Sequence, residues 1–121
     1  MSEKYNGWKN RETWAVMLHL DNDQDLYNEY HDLYKQVSKE EPTSEVLKPD
    51  QEVLYNYSDQ LKEWVSDMLS PTYWRHCGID MPHWAELMAE DVGSLWRVDW
   101  DAITRSILED IKVAEEYESN N

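Results

Sequence analysis

The run NGWKNRETWAVMLHLDNDQDLYNEYHDLYKQV, Asn6 to Val37, decides the fold of this chain. Its middle, Trp14 to Leu20, is apolar apart from His19. Trp14, Met17 and Leu18 repeat at the i, i+3, i+4 spacing of a helix face, and Val16 and Leu20 widen that face. Asn10 is a capping residue by type, with Arg11, Glu12 and Thr13 forming the first turn. A short buried strand is the competing reading, because an apolar run of this length does not by itself separate the two. Asp21-Asn22-Asp23 then stops one helix and caps the next, which runs from about Asp23 to Lys39. In that helix Leu26, Tyr27, Tyr30, Leu33, Tyr34 and Val37 face inward, and Asp25, Asn28, Glu29, Asp32 and Gln36 face out. The stretch reads as a helical hairpin stapled by aromatic rings, its first helix central. The three tyrosines read as core residues with hydroxyls at the rim, rather than as a ligand-stacking box.

Working outward, Glu40 to Ser44 is a turn, residues 45–48 carry no clear period, and Pro49 fits the first position of a third helix. Asp50 and Glu52 favour the N-terminus of that helix. Its inward face is Val53, Leu54, Tyr57, Leu61, Trp64, Val65 and Met68, and Ser70-Pro71 ends it. Thr72 to Met81 is the least regular part, with Gly78 as a turn residue. A fourth helix follows Pro82, with Trp84, Leu87, Met88, Val92 and Leu95 inward. Trp96-Arg97-Val98 reads as an extended linker and Asp99 as the cap of a last helix, whose core stripe is Ile103, Ile107, Leu108, Ile111 and Ala114. Glu109, Asp110, Glu115, Glu116 and Glu118 form its outer face, and residues 118–121 read as frayed. The expectation is one all-α domain over residues 1–121, a compact bundle of four or five helices with a Trp/Tyr-rich core.

Seven Trp, eight Tyr and no Phe mean that large amphipathic rings fill much of the interior, many with an N–H or O–H held near water or a partner. Twenty-six acids against eleven bases give a net charge of −15. Acids outnumber bases by roughly two to one in both halves, so the charge belongs to the folded body and not to a tail. Such a body does not bind phosphate backbones directly, which takes Lys and Arg, and does not dock on anionic membranes. It is steered towards cationic surfaces; plain solubility, or a halophilic source, accounts for the same charge. One cysteine, Cys77, cannot form an internal disulfide, which points to a reducing interior. With no apolar leader and no long apolar run, a cytoplasmic protein without a membrane span is expected.

Three chemistries come into question. His76-Cys77 with His83 offers three metal ligands, but the spacing matches no closed zinc pattern, and a fourth would have to come from Asp80, Glu86 or elsewhere. The plainer reading is a buried thiol beside a surface imidazole, with no metal and no cofactor. Catalysis finds no Gly-rich phosphate loop, no Gly-x-Ser-x-Gly and no Glu-x-x-His pair, and so many carboxylates pair by chance; no enzyme is expected. Third come the acidic rows. Carboxylates one helical turn apart sit roughly 6 Å from each other, close to the interval between phosphates on a nucleic-acid strand. Asp59, Glu63 and Asp67 form one row and Glu109, Asp110, Glu115 and Glu116 another, with Asp21, Asp23 and Asp25 clustered at the hairpin bend. These are the candidate partner-binding residues, suited to a groove built for DNA or RNA.

The block from Asn6 to Trp14, with Val16, Leu18, Asp21-Asn22-Asp23 and Leu26-Tyr27, resembles a motif of short phage- and plasmid-encoded proteins that reads Asn-Gly-Trp-x-Asn-x-Glu-Thr-Trp-x-Val-x-Leu. Val98-Asp99-Trp100-Asp101 with Ile103 resembles their second recurrent block. His19 departs from the pattern, which has an aromatic or aliphatic residue there. The resemblance implies a mobile-element origin and no reaction. By analogy of charge and size it extends to anti-restriction and anti-CRISPR inhibitors that imitate nucleic acid. The expected function is inhibition of a host nucleic-acid-directed defence complex, CRISPR effectors ahead of restriction enzymes, through its basic surface. The alternative is a non-catalytic interaction module or homodimeric adaptor using an exposed Trp/Tyr patch, for which Trp74 and Trp96 are the candidates. The block also has a purely structural reading, with Asn6-Gly7 as a turn, Asn10 as a cap and Trp8 and Trp14 as core rings.

Overall fold

The computed structural model describes residues 7–119, without the side chains of Glu118 and Ser119. The turn placed at Asn6, the outward Glu118 side chain and the frayed end at Asn120-Asn121 lie outside the described residues. The elements are α1 (Arg11–Asn22), α2 (Gln24–Lys39), α3 (Pro49–Met68), α4 (Pro71–His76), α5 (His83–Val92) and α6 (Trp100–Ser119), with a 3-10 turn at Leu95–Arg97. No strand occurs among the described residues, and the chain is an all-α bundle.

The caps sit where the residue types put them. Asn10 Oδ1 accepts from the Thr13 N–H at 2.9 Å, and Asp23 Oδ1 from the N–H groups of Asp25 and Leu26 at 2.9 and 3.2 Å. Asp99 Oδ1 accepts from Ala102 N–H at 3.1 Å, opening α6. Helix α1 is central, packing on α2, α5, α6 and the 3-10 turn. The competing strand reading of Trp14 to Leu20 is thereby set aside: α1 buries Thr13, Ala15, Val16, Met17 and Leu20.

The aromatic rings divide by polarity. Tyr30 and Tyr57 lie in the core among aliphatic residues from α1, α3, α5 and α6, while Trp8, Trp14, Trp64 and Trp100 are half-buried and packed around it. Tyr57 donates to the Tyr30 carbonyl at 2.8 Å, and Tyr30 donates to Asp21 Oδ1 at 2.7 Å, so both buried phenols reach an acceptor.

Several inward assignments need correction. Leu18, Tyr27, Trp84, Leu87 and Ala114 are exposed. Helix α5 packs on α1 and buries a narrow stripe, Ala85, Met88 and Val92, so its flanking Trp84 and Leu87 stay outside. Residues 112–117 of α6 are all exposed, so the buried stripe of that helix ends at Ile111. The segment read as irregular contains α4, since Pro71 starts a helix as well as ending one. Trp96 and Arg97 are not extended: Leu95–Arg97 form a 3-10 turn, entered after Gly93 at φ +74°, and only Val98 after it is extended.

The two motif blocks clasp each other. Asn10 Nδ2 donates to the Arg97 carbonyl at 2.7 Å. Thr13 Oγ1, fully buried, donates to Asn10 Oδ1 at 2.7 Å and accepts from the Asp99 N–H at 2.9 Å. Glu12 and Arg97 approach to 3.7 Å. Arg11 and His19 both meet the Asp91 carboxylate, at 2.7 and 2.8 Å, fastening α1 to α5. His19 is therefore used as a polar tie between α1 and α5.

Candidate partner-binding surface

The largest feature that gathers candidate residues is a cleft of about 470 Å³ where α2, α3, α4 and the start of α5 meet. Asp23, Asp25 and Glu29 enter from α2 and its cap, Asp67 from the end of α3, and Leu26 and Met68 also line it. Trp64, Tyr73, Trp74 and Trp84 supply rings, and Cys77 completes the lining. Local chemistry holds the rings in place. Pro71 starts α4 directly after α3, and the Trp74 indole N–H donates to the Met68 carbonyl at 2.8 Å. Tyr73 and Trp74 meet edge-on at 5.7 Å, and Trp74 and Trp84 at 6.1 Å, an edge-to-face chain of three rings. The Tyr73 hydroxyl is pushed up from its ordinary value by a hydrogen bond and charge interaction with Cys77, with smaller contributions from burial and from Asp67 and Glu29. Two acids from different helices thus act on one hydroxyl. Cys77 is exposed, which corrects the buried-thiol reading.

A second acidic assembly, the α2–α6 seam, is where acids of α1 and α6 act on groups of α2. His31 stacks on Tyr30 at 4.8 Å and approaches Tyr27 at 4.3 Å. Burial and then Lys35 lower its pKa, while the carboxylates of Asp21, Asp32 and Asp110 pull the other way. Farther along, the Tyr34 hydroxyl is raised by burial and then by Glu115 and Asp50. Asp21 from the end of α1 and Asp110 and Glu115 from α6 therefore act on neighbouring groups of α2. The fold brings together acids remote in sequence.

The remaining candidates are distributed differently. Glu109 lines a groove between α3 and α6 together with Asp50, Arg105 and Lys112, where bases offset it. Asp59 and Glu63 are exposed on α3, whereas Asp67 of the same row turns into the cleft. Glu116 is exposed near the C-terminal end of α6. Glu29 and Asp32, outward on α2 by their spacing, also take part: Glu29 lines the cleft, Asp32 acts on His31, and both line a groove beside Trp64 of α3. Of the two rings named for an aromatic patch, Trp74 is half-buried in the cleft wall, and Trp96 is 83% exposed with the Arg97 guanidinium 5.8 Å from its ring centre.

Three arginines elsewhere are ion-paired, while Lys35 is the base that acts on His31 within the seam. Arg11, Arg97 and Arg105 each face a carboxylate, from Asp91, Glu12 and Asp101 respectively. None of those three acids belongs to the cleft or the seam. Among the described residues, no helix is long and apolar enough to cross a membrane.

No curated protein and no solved structure matches the chain. Residues 1–101 match a family described as a family of unknown function, DUF7249. That span holds every lining residue of the cleft, while Glu109, Asp110, Glu115 and Glu116 lie beyond it. With the match covering most of its length, this chain belongs to the DUF7249 family.

Proposed function

We propose that this protein is a non-catalytic inhibitor from a phage or mobile element that occupies the cationic nucleic-acid channel of a host defence complex, a CRISPR effector ahead of a restriction enzyme. The observation that carries the reading is a net charge of −15 borne on helices, with acids of α1, α2 and α6 acting on neighbouring groups of α2 while the ion-paired arginines engage other acids. Carboxylates fixed on helices lose little freedom on meeting a row of Arg or Lys, and the long-range field speeds the encounter. Nucleic acid and inhibitor then compete for the same cations.

The test is binding to a purified effector complex with and without its target DNA. Mutually exclusive binding supports the reading; a ternary complex of effector, DNA and this protein refutes it.

A second reading has its own observation. The chain of Tyr73, Trp74 and Trp84 rings is open to solvent at Tyr73 and Trp84, as a protein-docking patch would be. In that reading association is insensitive to salt and is lost in Trp84→Ala or Trp74→Ala.

A further inference from the structure

We propose that the cleft between α2, α3, α4 and α5 is an anchor pocket for one arginine side chain of a partner protein. Its guanidinium lies against the Tyr73, Trp74 and Trp84 rings and donates to Glu29 and Asp67. That the arginine belongs to a protein rests on the reading above; the preference of the pocket for a guanidinium does not.

The cleft is built for an organic cation. Its lining includes four carboxylates and, among the described residues, no Lys or Arg. Asp23 is engaged as the α2 cap, but the side chains of Asp25, Glu29 and Asp67 have no hydrogen-bond or ion-pair partner among the described residues. Among the described residues, no three His, Cys, Asp or Glu groups lie close enough to hold a metal ion. A cation that reaches these acids must be broad and must tolerate aromatic walls. A guanidinium is planar, weakly hydrated, stacks on rings and carries five N–H donors. A quaternary ammonium would suit the rings but has no N–H to give the carboxylates, and a primary ammonium is compact and strongly hydrated. Leu26 and Met68 supply apolar surface for the methylene stem. The Trp74 indole, tied to the Met68 carbonyl, keeps its wall in place before the ligand arrives, which lowers the ordering cost of binding.

The experiment titrates the full-length protein with acetyl-Gly-Arg-Gly-amide, with the same peptide carrying norleucine for arginine, and with free arginine, following the tryptophan indole N–H resonances. Shifts confined to Trp64, Trp74 and Trp84, with no response to the norleucine peptide, are expected. The double variant Glu29→Gln/Asp67→Asn, checked for native helicity, should weaken the peptide by about tenfold or more, the usual scale for losing charge-assisted hydrogen bonds. Trp84→Leu should weaken it as well, and Trp84→Phe should restore part of the loss. Equal response to the norleucine peptide, shifts centred on other indoles, or unchanged affinity in the double variant would overturn the pocket. Free arginine binding more tightly than the peptide would overturn the protein occupant. Loss of the pocket with effector competition intact leaves the inhibitor reading standing; arginine binding without such competition does the reverse.

Discussion

At the scale of single residues, Thr13 carries more of the fold than its type suggests. Its hydroxyl is buried, donates to Asn10 and receives the Asp99 N–H, so it joins the start of α1 to the start of α6. Thr13→Val keeps the shape and removes both bonds, leaving the Asp99 N–H unpaired. The expected loss is about 1–3 kcal/mol of unfolding free energy, read from denaturant midpoints; a variant as stable as the parent would show that water replaces the hydroxyl. Tyr57→Phe removes the donor to the Tyr30 carbonyl and should lose about 1 kcal/mol, read the same way. Burial above all raises the phenols of Tyr57 and Tyr30 above their ordinary value of 10.0. A group whose folded pKa is raised contributes stability that is whole below its unfolded pKa and is lost as pH climbs towards the folded value. Alkaline unfolding should therefore begin above about pH 10, and in Tyr57→Phe its pH dependence should be shallower. Thr13 illustrates what a sequence conceals. As a first-turn residue it is ordinary, and its partner lies 86 positions away.

At the scale of elements, the α1–α2 hairpin was legible because cap, period and stop agree along it. Asn10, Asp23 and the Leu26 to Val37 stripe each act locally, and local chemistry is what a sequence displays. Helix α4 was not legible: six residues are too short to show a period, and Ser70-Pro71 serves both as an end and as a start. The width of each buried stripe was also hidden, since it depends on how many neighbours a helix has. Trp84 and Leu87 are exposed for that reason. The α2–α3 connection holds a testable tie. Glu52, buried at 8% exposure, accepts from the Thr43 hydroxyl at 2.8 Å, the Thr43 N–H at 3.0 Å and the Ser44 N–H at 3.1 Å. Those bonds, the Thr43 hydroxyl first, hold its pKa below the ordinary glutamate value. With a depressed folded pKa, the tie is complete above the unfolded value and is lost as pH falls through the folded one. The protection of the Thr43 and Ser44 amides, taken relative to the intrinsic exchange rate at each pH, should fall on acidification over that window, and Glu52→Gln should show lower protection with no such acid step. Protection in the parent that stays constant across the window would count against the tie.

At the scale of the whole molecule, electrostatics dominates. Composition alone announces the charge, but not its arrangement: Asp59, Glu63 and Asp67 share a helical row, yet Asp67 turns into the cleft while the other two face solvent. Glu29 and Asp67, Asp21 and Asp110 become neighbours in effect only once helices pack. At −15 the folded body repels itself, so its melting temperature should rise as sodium chloride goes from about 0.01 M to about 1 M and the screening length shrinks from roughly 30 Å to 3 Å. A flat or falling curve would mean that repulsion in the native state is already balanced by the ion pairs. The same field governs partner binding, and the decisive experiment follows affinity for a purified CRISPR effector over that salt range. The parent is compared with a seam variant, Asp21→Asn/Asp110→Asn/Glu115→Gln. Affinity that falls steeply with salt in the parent, and is weakened with a flatter salt dependence in the variant, is the result expected of a polyanion mimic. Binding of the parent that is indifferent to salt, or a variant that binds as the parent does, would contradict it.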